Sequence, residues 1–244
     1  MERSLREWFR TPLGRELAEA ERAALAMQLR HSPASTLLQL GAFGDDRRIA
    51  LFGSMRQYLA DNWPDGPVDI ATRAEDLPFA SDSFDVVVLI HRLEFSAEPH
   101  QVLREAERVL APEGRLLVVG FNPFSSWGLR HLWRRPAGGE PWSGRYIAQS
   151  RIEDWCRLLG LRTASRRYLF HRPPWGGHRL HGRLRRWESL LGSAVPWLGA
   201  VHLTVARKHV VKPLQMRDIV RPRRAAVPNG LAQPTTRSRL HVDR

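Results

Sequence analysis

The sequence has little cysteine and no long apolar run. Cys156 is the only cysteine among 244 residues, so an intramolecular disulfide framework is excluded. No apolar run reaches the roughly 18 residues of a membrane-spanning helix, and residues 1–4 (MERS) lack the apolar core of a signal peptide. No internal repeat occurs, and no metal site is predicted. These absences predict a cytoplasmic protein in a reducing environment.

Positive charge is in excess and is unevenly distributed, with a formal net charge of +13. Residues 1–127 hold 14 Lys/Arg against 19 Asp/Glu. Residues 128–187 hold 14 Arg against three acidic residues, and residues 208–244 hold 9 Lys/Arg against two acidic residues. The basic second half predicts an anionic partner, such as RNA. The alternative is an arginine-rich composition without a ligand, as GC-rich genomes encode.

Apolar periodicity predicts an α/β domain, and 43% apolar residues suffice for a sizeable core. Residues 11–31 read as an amphipathic helix with Thr11 at its N-cap. The near-continuous apolar run over residues 84–90 (FDVVVLI) is typical of a strand inside a parallel sheet. A helix over 99–110 and a strand over 115–120 follow it, which makes a right-handed β–α–β unit.

The remaining elements are assigned from shorter patterns. Strands are predicted over residues 35–40, 56–60, 68–72, 163–170 and 201–207. Helices are predicted over 48–54, over 179–191, and from Ser150 to Gly160, the last with Ser150 and Glu153 as a capping box. We therefore expect an N-terminal helix region (1–34), an α/β domain (35–207) with an irregular insertion (121–149), and a basic, disordered tail (208–244).

In an open parallel sheet, ligands bind beyond the carboxyl ends of the strands. A glycine such as Gly41 lets the backbone approach a ligand, and a carboxylate such as Asp61 can accept hydrogen bonds from both hydroxyls of a ribose. The alternatives are that Gly41 is only a turn glycine, that Asp61 is a surface residue, and that His91 is a hydrogen-bonded core histidine. The candidate residues that follow the first four strands are Gly41, Ala42, Phe43, Gly44, Asp61, Ala74, Glu75, Asp76, Leu77 and His91.

Four segments in this order resemble the class I, S-adenosylmethionine-dependent methyltransferases with a type 11 methyltransferase domain, represented by quinone-biosynthesis C-methyltransferases. They are residues 74–79 (AEDLPF), 82–88 (DSFDVVV), 99–110 (PHQVLREAERVL) and 112–116 (PEGRL). The resemblance implies that S-adenosylmethionine is the cofactor and that the first segment passes its adenine. It also implies methyl transfer to an acceptor that the sequence does not identify.

A narrower resemblance extends over most of the chain, to an uncharacterised bacterial group of methyltransferase-like proteins. It rests on residues 8–14 (WFRTPLG), 120–123 (GFNP), 127–130 (WGLR) and 205–208 (VARK). The two resemblances imply a Rossmann-like, three-layer α/β/α fold. Its seven-stranded sheet would be mostly parallel, with the last strand antiparallel.

The cofactor loop departs from the usual glycine-rich pattern of the family. Gln39 replaces an acidic residue, Phe43 and Asp45 replace two glycines, and Arg73 stands where an aspartate often binds the adenine amino group. These departures leave open a catalytically degenerate module that binds nucleic acid or another polyanion. A nicotinamide-dependent oxidoreductase is disfavoured, because the loop lacks G-x-G-x-x-G.

Methyl transfer from a sulfonium needs alignment and exclusion of water more than acid–base help. His91 is nevertheless the candidate for an acceptor-side base. Residues 121–149 follow the fifth strand and are predicted to form an acceptor lid. Their tryptophans and phenylalanines alternate with arginines, which would suit stacked bases and phosphate or a lipid-like ring. The alternative is that the rings pack against the sheet.

Overall fold

A computed structural model describes residues 2–30, 32–44, 48–49, 54–63, 66–134, 139, 141–174, 192 and 194–209. The strands are β1 (Thr36–Leu40), β2 (Arg56–Asp61), β3 (Ile70–Ala71), β4 (Phe84–Ile90), β5 (Leu110–Phe121), β6 (Leu161–Leu169) and β7 (Val201–Lys208). The helices are α1 (Glu2–Phe9), α2 (Pro12–Leu29), α3 (Arg92–Phe95), α4 (Pro99–Val109), α5 (Ser126–Arg134) and α6 (Gln149–Leu158), with a 3₁₀ turn at Pro196–Leu198.

The seven strands form one sheet in the order β3-β2-β1-β4-β5-β7-β6. Strands β1 to β5 pair in parallel, whereas β7 runs antiparallel to both of its neighbours, β5 and β6. The predicted seven-stranded, mostly parallel sheet with an antiparallel last strand is therefore confirmed. The chain reverses between β1 and β4, so a crevice opens at the carboxyl edge between them.

The sheet separates two apolar layers, because successive side chains of a strand point to opposite faces. In β4, Val86, Val88 and Ile90 join the layer that contains α1 and α2. The alternate residues Val87 and Leu89 join the layer that contains α4 and α6. Both faces of β4 are covered, which explains its unbroken apolar run. The three-layer arrangement is the predicted one.

Helix α2 follows the prediction closely. Pro12 occupies the first helical position, and the Thr11 hydroxyl accepts a hydrogen bond from the Gly14 amide at 3.1 Å. The capping box predicted for α6 is wrong, because the helix begins at Gln149 with Ala148 as its N-cap and no side-chain cap. Glu153 instead forms an ion pair with Arg166, at 2.7 Å between Oε1 and Nε.

Two further predictions need correction, and three others fall wholly or mostly outside the described residues. Residues 121–149, predicted to be irregular, contain α5, and β3 has two residues where five were predicted. The predicted helices over 179–191 and most of 48–54 lie outside the described residues, as does the tail beyond residue 209. Within the part of the chain that is described, no helix is long and apolar enough to cross a bilayer.

Candidate functional site

The turn after β1 lies against the end of β4. Gly41 has a φ of +95°, a conformation that favours glycine. A Cβ atom at this position would lie 2.6 Å from the Ile90 carbonyl oxygen and 2.9 Å from Cδ of Arg92. The glycine is therefore required by the packing of the chain itself. This close approach brings the ends of β1 and β4 together at the crevice.

Asp61, at the end of β2, is buried and holds two arginines. Its Oδ2 accepts a hydrogen bond from Arg6 Nη1 at 3.1 Å, and its Oδ1 accepts one from Arg92 Nη1 at 2.9 Å. The Asp61 side chain is 2% exposed, and the Arg6 and Arg92 side chains are 10% and 9% exposed. The two oxygens predicted to accept ribose hydroxyls are thus engaged by cations of the chain itself.

Arg6 reaches Asp61 because α1 lies over the crevice. Its guanidinium also stacks on the Trp63 ring, 4.2 Å from the ring centroid. Phe9, at the end of α1, is buried and packs edge-to-face against Phe43, with ring centroids 5.7 Å apart. The Phe9 Cβ would lie 3.3 Å from a Cβ atom at Gly44. Helix α1 therefore covers the loop of residues 41–44.

Phe43 and Gln39, which depart from the usual glycine-rich pattern, each contact other parts of the chain. The Phe43 side chain is 1% exposed and lies in the apolar layer with α1 and α2, where Arg22 stacks on its ring. Gln39 donates a hydrogen bond from Nε2 to the Gly41 carbonyl at 2.8 Å, and its Oε1 accepts one from the Ile49 amide. A carboxylate at position 39 could not make the first of these bonds.

The segment after β3 presents one carboxylate near the crevice. Glu75 accepts a hydrogen bond from the Ser96 hydroxyl at 2.6 Å. Burial would raise the pKa of the Glu75 carboxyl, but the Ser96 hydrogen bond and the neighbouring Arg73 and Arg92 lower it below its usual value. Ala74 and Leu77 are instead buried in the layer of α4. Glu75 is thus an ionised group beside the crevice.

His91 follows β4 and lies between two buried carboxylates. Its Nε2 is 3.0 Å from Oε1 of Glu21, and its Nδ1 is 3.2 Å from Oε1 of Glu94. Its ring stacks on Phe121 at 4.2 Å and is fully buried. Burial alone would lower the pKa of His91, but the two carboxylates raise it to about 10. This His91 cluster (Glu21, His91, Glu94) joins α2 to the start of α3.

Many aromatic side chains of the predicted lid pack inside the protein. Trp127 is fully buried between Phe121 and Trp142, and its indole N–H donates to the Arg172 carbonyl at 2.8 Å. Phe124 and Trp133 are instead 67% and 78% exposed. The packing alternative therefore holds for the buried rings, whereas two large rings face solvent.

A groove of about 1380 Å³ lies between α4 and α6, close to the crevice. Ala97 and Glu98 line it, next in sequence to the Ser96 that binds Glu75. His100 and Trp155 form an aromatic pair in the groove, with ring centroids 4.0 Å apart. Its cationic lining residues are Arg104, Arg145 and Arg151. We call it the α4–α6 groove.

The fold has counterparts among solved structures. A SAM-dependent methyltransferase from Thermotoga maritima superposes with a TM-score of 0.55 at 16% identity, covering 85% of this chain and 97% of that chain. One from Aquifex aeolicus gives a TM-score of 0.51 at 10% identity, covering 83% and 96% of the two chains. The chain has the fold of the S-adenosylmethionine-dependent methyltransferases.

Sequence comparisons agree with the methyltransferase fold. Residues 50–118 match the family model described as a methyltransferase domain. A protein from Escherichia coli, named as the uncharacterised protein YafS, is 39% identical over 155 residues, which cover 63% of this chain and 60% of that protein. A ubiquinone/menaquinone biosynthesis C-methyltransferase from Hahella chejuensis is 41% identical over 66 residues, which cover 27% of this chain and 26% of that enzyme. The chain thus spans about three fifths of its E. coli relative.

Within the methyltransferase fold, the carboxylates at the ends of β2 and β3 suit S-adenosylmethionine in chemical type. Asp61 and Glu75 offer hydrogen-bond acceptors at the carboxyl edge of the sheet. Arg6 and Arg92, which no sequence pattern predicted, hold the oxygens of Asp61. Because the Asp61 side chain is 2% exposed and both of its oxygens accept from guanidiniums, a ribose bound there would compete with these contacts.

Proposed function

We propose that this protein is an S-adenosylmethionine-dependent methyltransferase whose acceptor is still to be identified. The observation that carries the proposal is the convergence of Gly41, Asp61 and Glu75 at one edge of a sheet with methyltransferase topology. The family match over residues 50–118 includes Asp61 and Glu75 and supports the same function.

The cofactor would supply a methyl group activated by a positively charged sulfur. Asp61 would accept the ribose hydroxyls, and Glu75 would face the adenine side. The loop of Gly41, Ala42, Phe43 and Gly44 would contact the methionine part, and Asp76 and Leu77 would flank the adenine side. Since the sulfonium is already a good leaving group, the protein has mainly to align the acceptor and exclude water.

We place the acceptor on the side of the α4–α6 groove, because that groove begins beside Ser96 and Glu75. Its lining holds three arginines against Glu98 and Asp154, and this positive balance favours an acceptor with an anionic group. His91 would act as an acceptor-side base only after losing a contact with Glu21 or Glu94. We therefore assign His91 a positioning role, in which it holds the end of β4 against the middle of α2.

Isothermal titration of the full chain with S-adenosylmethionine and S-adenosylhomocysteine tests the proposal. We expect saturable binding that Glu75→Gln weakens and that the control Glu113→Gln leaves unchanged. The reason is that Glu75 lies beside the crevice, whereas Glu113 is 44% exposed and pairs with Arg207. Absence of binding up to millimolar cofactor would overturn the proposal.

A cofactor-free module is the second candidate function, favoured by the two arginines on Asp61. The fold also occurs in a structure named as a [4+2]-cyclase, SpnF, which superposes with a TM-score of 0.50 at 17% identity, covering 78% of this chain and 80% of that chain, so the fold alone does not fix the function. In this case the basic second half would bind a polyanion such as RNA. Salt-dependent RNA binding without cofactor binding would support it, and cofactor binding would exclude it.

A further inference from the structure

Helix α5 has an apolar face toward solvent. Its buried side consists of Trp127, Gly128 and His131, which pack toward the protein. Leu129, Leu132 and Trp133, spaced to share the opposite side, are 49%, 66% and 78% exposed. A surface helix ordinarily places charged or polar residues on that side. The solvent side of α5 is therefore unusual in its composition.

Two more exposed rings lie beside this helix. Phe124, two residues before α5, is 67% exposed, and Trp197 is 55% exposed. Asn122 connects them, because its Nδ2 donates to the Trp197 carbonyl at 2.8 Å and its Oδ1 accepts from the Phe124 amide at 3.0 Å. Of the seven large apolar side chains that are exposed in the described residues, five lie here: Phe124, Leu129, Leu132, Trp133 and Trp197. We call them the α5 patch.

The sequence that carries most of the α5 patch is strongly basic. Residues 128–187 hold 14 arginines against three acidic residues, and α5 itself contains Arg130 and Arg134 and no acidic residue. Helices that lie in the interface of a membrane combine Leu, Phe and Trp on one side with Arg or Lys nearby. Anionic lipid headgroups attract such cations, while the apolar side chains enter the acyl boundary.

We propose that the α5 patch docks the protein on an anionic lipid bilayer, with α5 lying in the interface. The patch rests on a helix of nine residues, about 14 Å long at 1.5 Å per residue, so it is small for a stable dimer interface, which buries about 800 Å² on each partner. The rings of Phe124, Trp133 and Trp197 could stack on bases, but Leu129 and Leu132 offer nucleic acid neither a stacking plane nor a hydrogen bond. Docking of this kind does not depend on cofactor binding.

Sedimentation of the full chain with lipid vesicles tests the proposal. We expect binding to vesicles of phosphatidylglycerol and phosphatidylcholine in equal parts, weaker binding to phosphatidylcholine alone, and a further loss as salt is raised. The double variant Leu129→Gln/Leu132→Gln should bind at least about tenfold more weakly, because two exposed apolar side chains no longer enter the bilayer.

The matched control is Leu158→Gln on α6, where the leucine is 85% exposed but lies outside the α5 patch. This variant should bind as the wild type does, and both variants should keep the wild-type unfolding temperature. Brominated lipids should quench less fluorescence in Trp133→Phe than in the wild type. The proposal is overturned if vesicles do not bind or if the double variant binds unchanged. It is also overturned if the double variant instead abolishes a dimer or RNA binding.

Discussion

The contact of Arg6 with Asp61 leads to a prediction about cofactor affinity. If ribose hydroxyls bind Asp61, they compete with a guanidinium that already bonds Oδ2 at 3.1 Å. The variant Arg6→Met removes the guanidinium and keeps much of the apolar stem. Asp61 would still hold Arg92 and the Asn62 amide, so the carboxylate would not be left as an unpaired buried charge. We therefore expect the variant to fold and to bind S-adenosylhomocysteine more tightly.

The size of the effect follows from the exchange of hydrogen bonds. A hydrogen bond to a charged group contributes about 1.5–3 kcal/mol. The wild type loses the Arg6 contact when the cofactor binds, whereas Arg6→Met has no such contact to lose. Since about 1.4 kcal/mol corresponds to a tenfold change in Kd, affinity should rise roughly ten- to a hundredfold. The same lost contact should lower the free energy of unfolding by about 1–3 kcal/mol.

Titration calorimetry of wild type, Arg6→Met and Arg157→Met provides the assay. Arg157 is a suitable control because it is 73% exposed and pairs with Asp154 on the surface of α6. Equal or weaker affinity in a folded Arg6→Met protein would refute the competition between α1 and the cofactor. Tighter binding in both variants would indicate instead that removal of any positive charge raises the affinity.

Three further results are expected. The difference in unfolding free energy between wild type and His91→Asn should be largest below about pH 6.5, the usual pKa of histidine. It should shrink as pH rises through about 10, the raised pKa of folded His91. Urea unfolding across this range checks the prediction, and a pH-independent difference would contradict it. Burial raises the pKa of Cys156 to about 12, so its thiol should resist a disulfide reagent at pH 8 until the protein is unfolded; rapid labelling of native protein would show the burial to be incorrect. Gly128→Ala should lose several kcal/mol of stability, because its Cβ would lie 1.9 Å from the Pro123 carbonyl oxygen. Gly160→Ala should lose only about 1 kcal/mol, because no atom lies within 4 Å of its Cβ and only the φ of +78° is unfavourable. Equal losses in thermal unfolding would contradict this prediction.

The fold could be predicted where local pattern and tertiary environment agree. The strand over residues 84–90 was predicted with its observed bounds, because a strand covered on both faces must be apolar throughout. The start of α2 was also predictable, since Thr11 and Pro12 satisfy the helix end locally. Helix α5 was missed, because its exposed leucines and tryptophan disrupt the alternation that marks an ordinary surface helix.

The candidate site was predictable only in part. Asp61 could be placed at the end of a strand, since strand ends follow from the apolar pattern. Its partners could not be predicted, because Arg6 is 55 residues away in sequence and meets Asp61 only through the docking of α1. For Arg92, its position directly after His91 was a usable signal, since it also follows β4 at the same edge of the sheet.

The unusual cofactor loop and helix α1 are parts of one arrangement. Phe43 is buried because Phe9 of α1 packs on it, and Gln39 donates the hydrogen bond to Gly41 that an acid could not. Arg6 of the same helix holds Asp61. A loop with more glycines would lose the Phe9–Phe43 contact that anchors α1. The departures from the glycine pattern therefore adapt the loop to a covering helix, and cofactor binding should depend on how readily that helix releases Asp61.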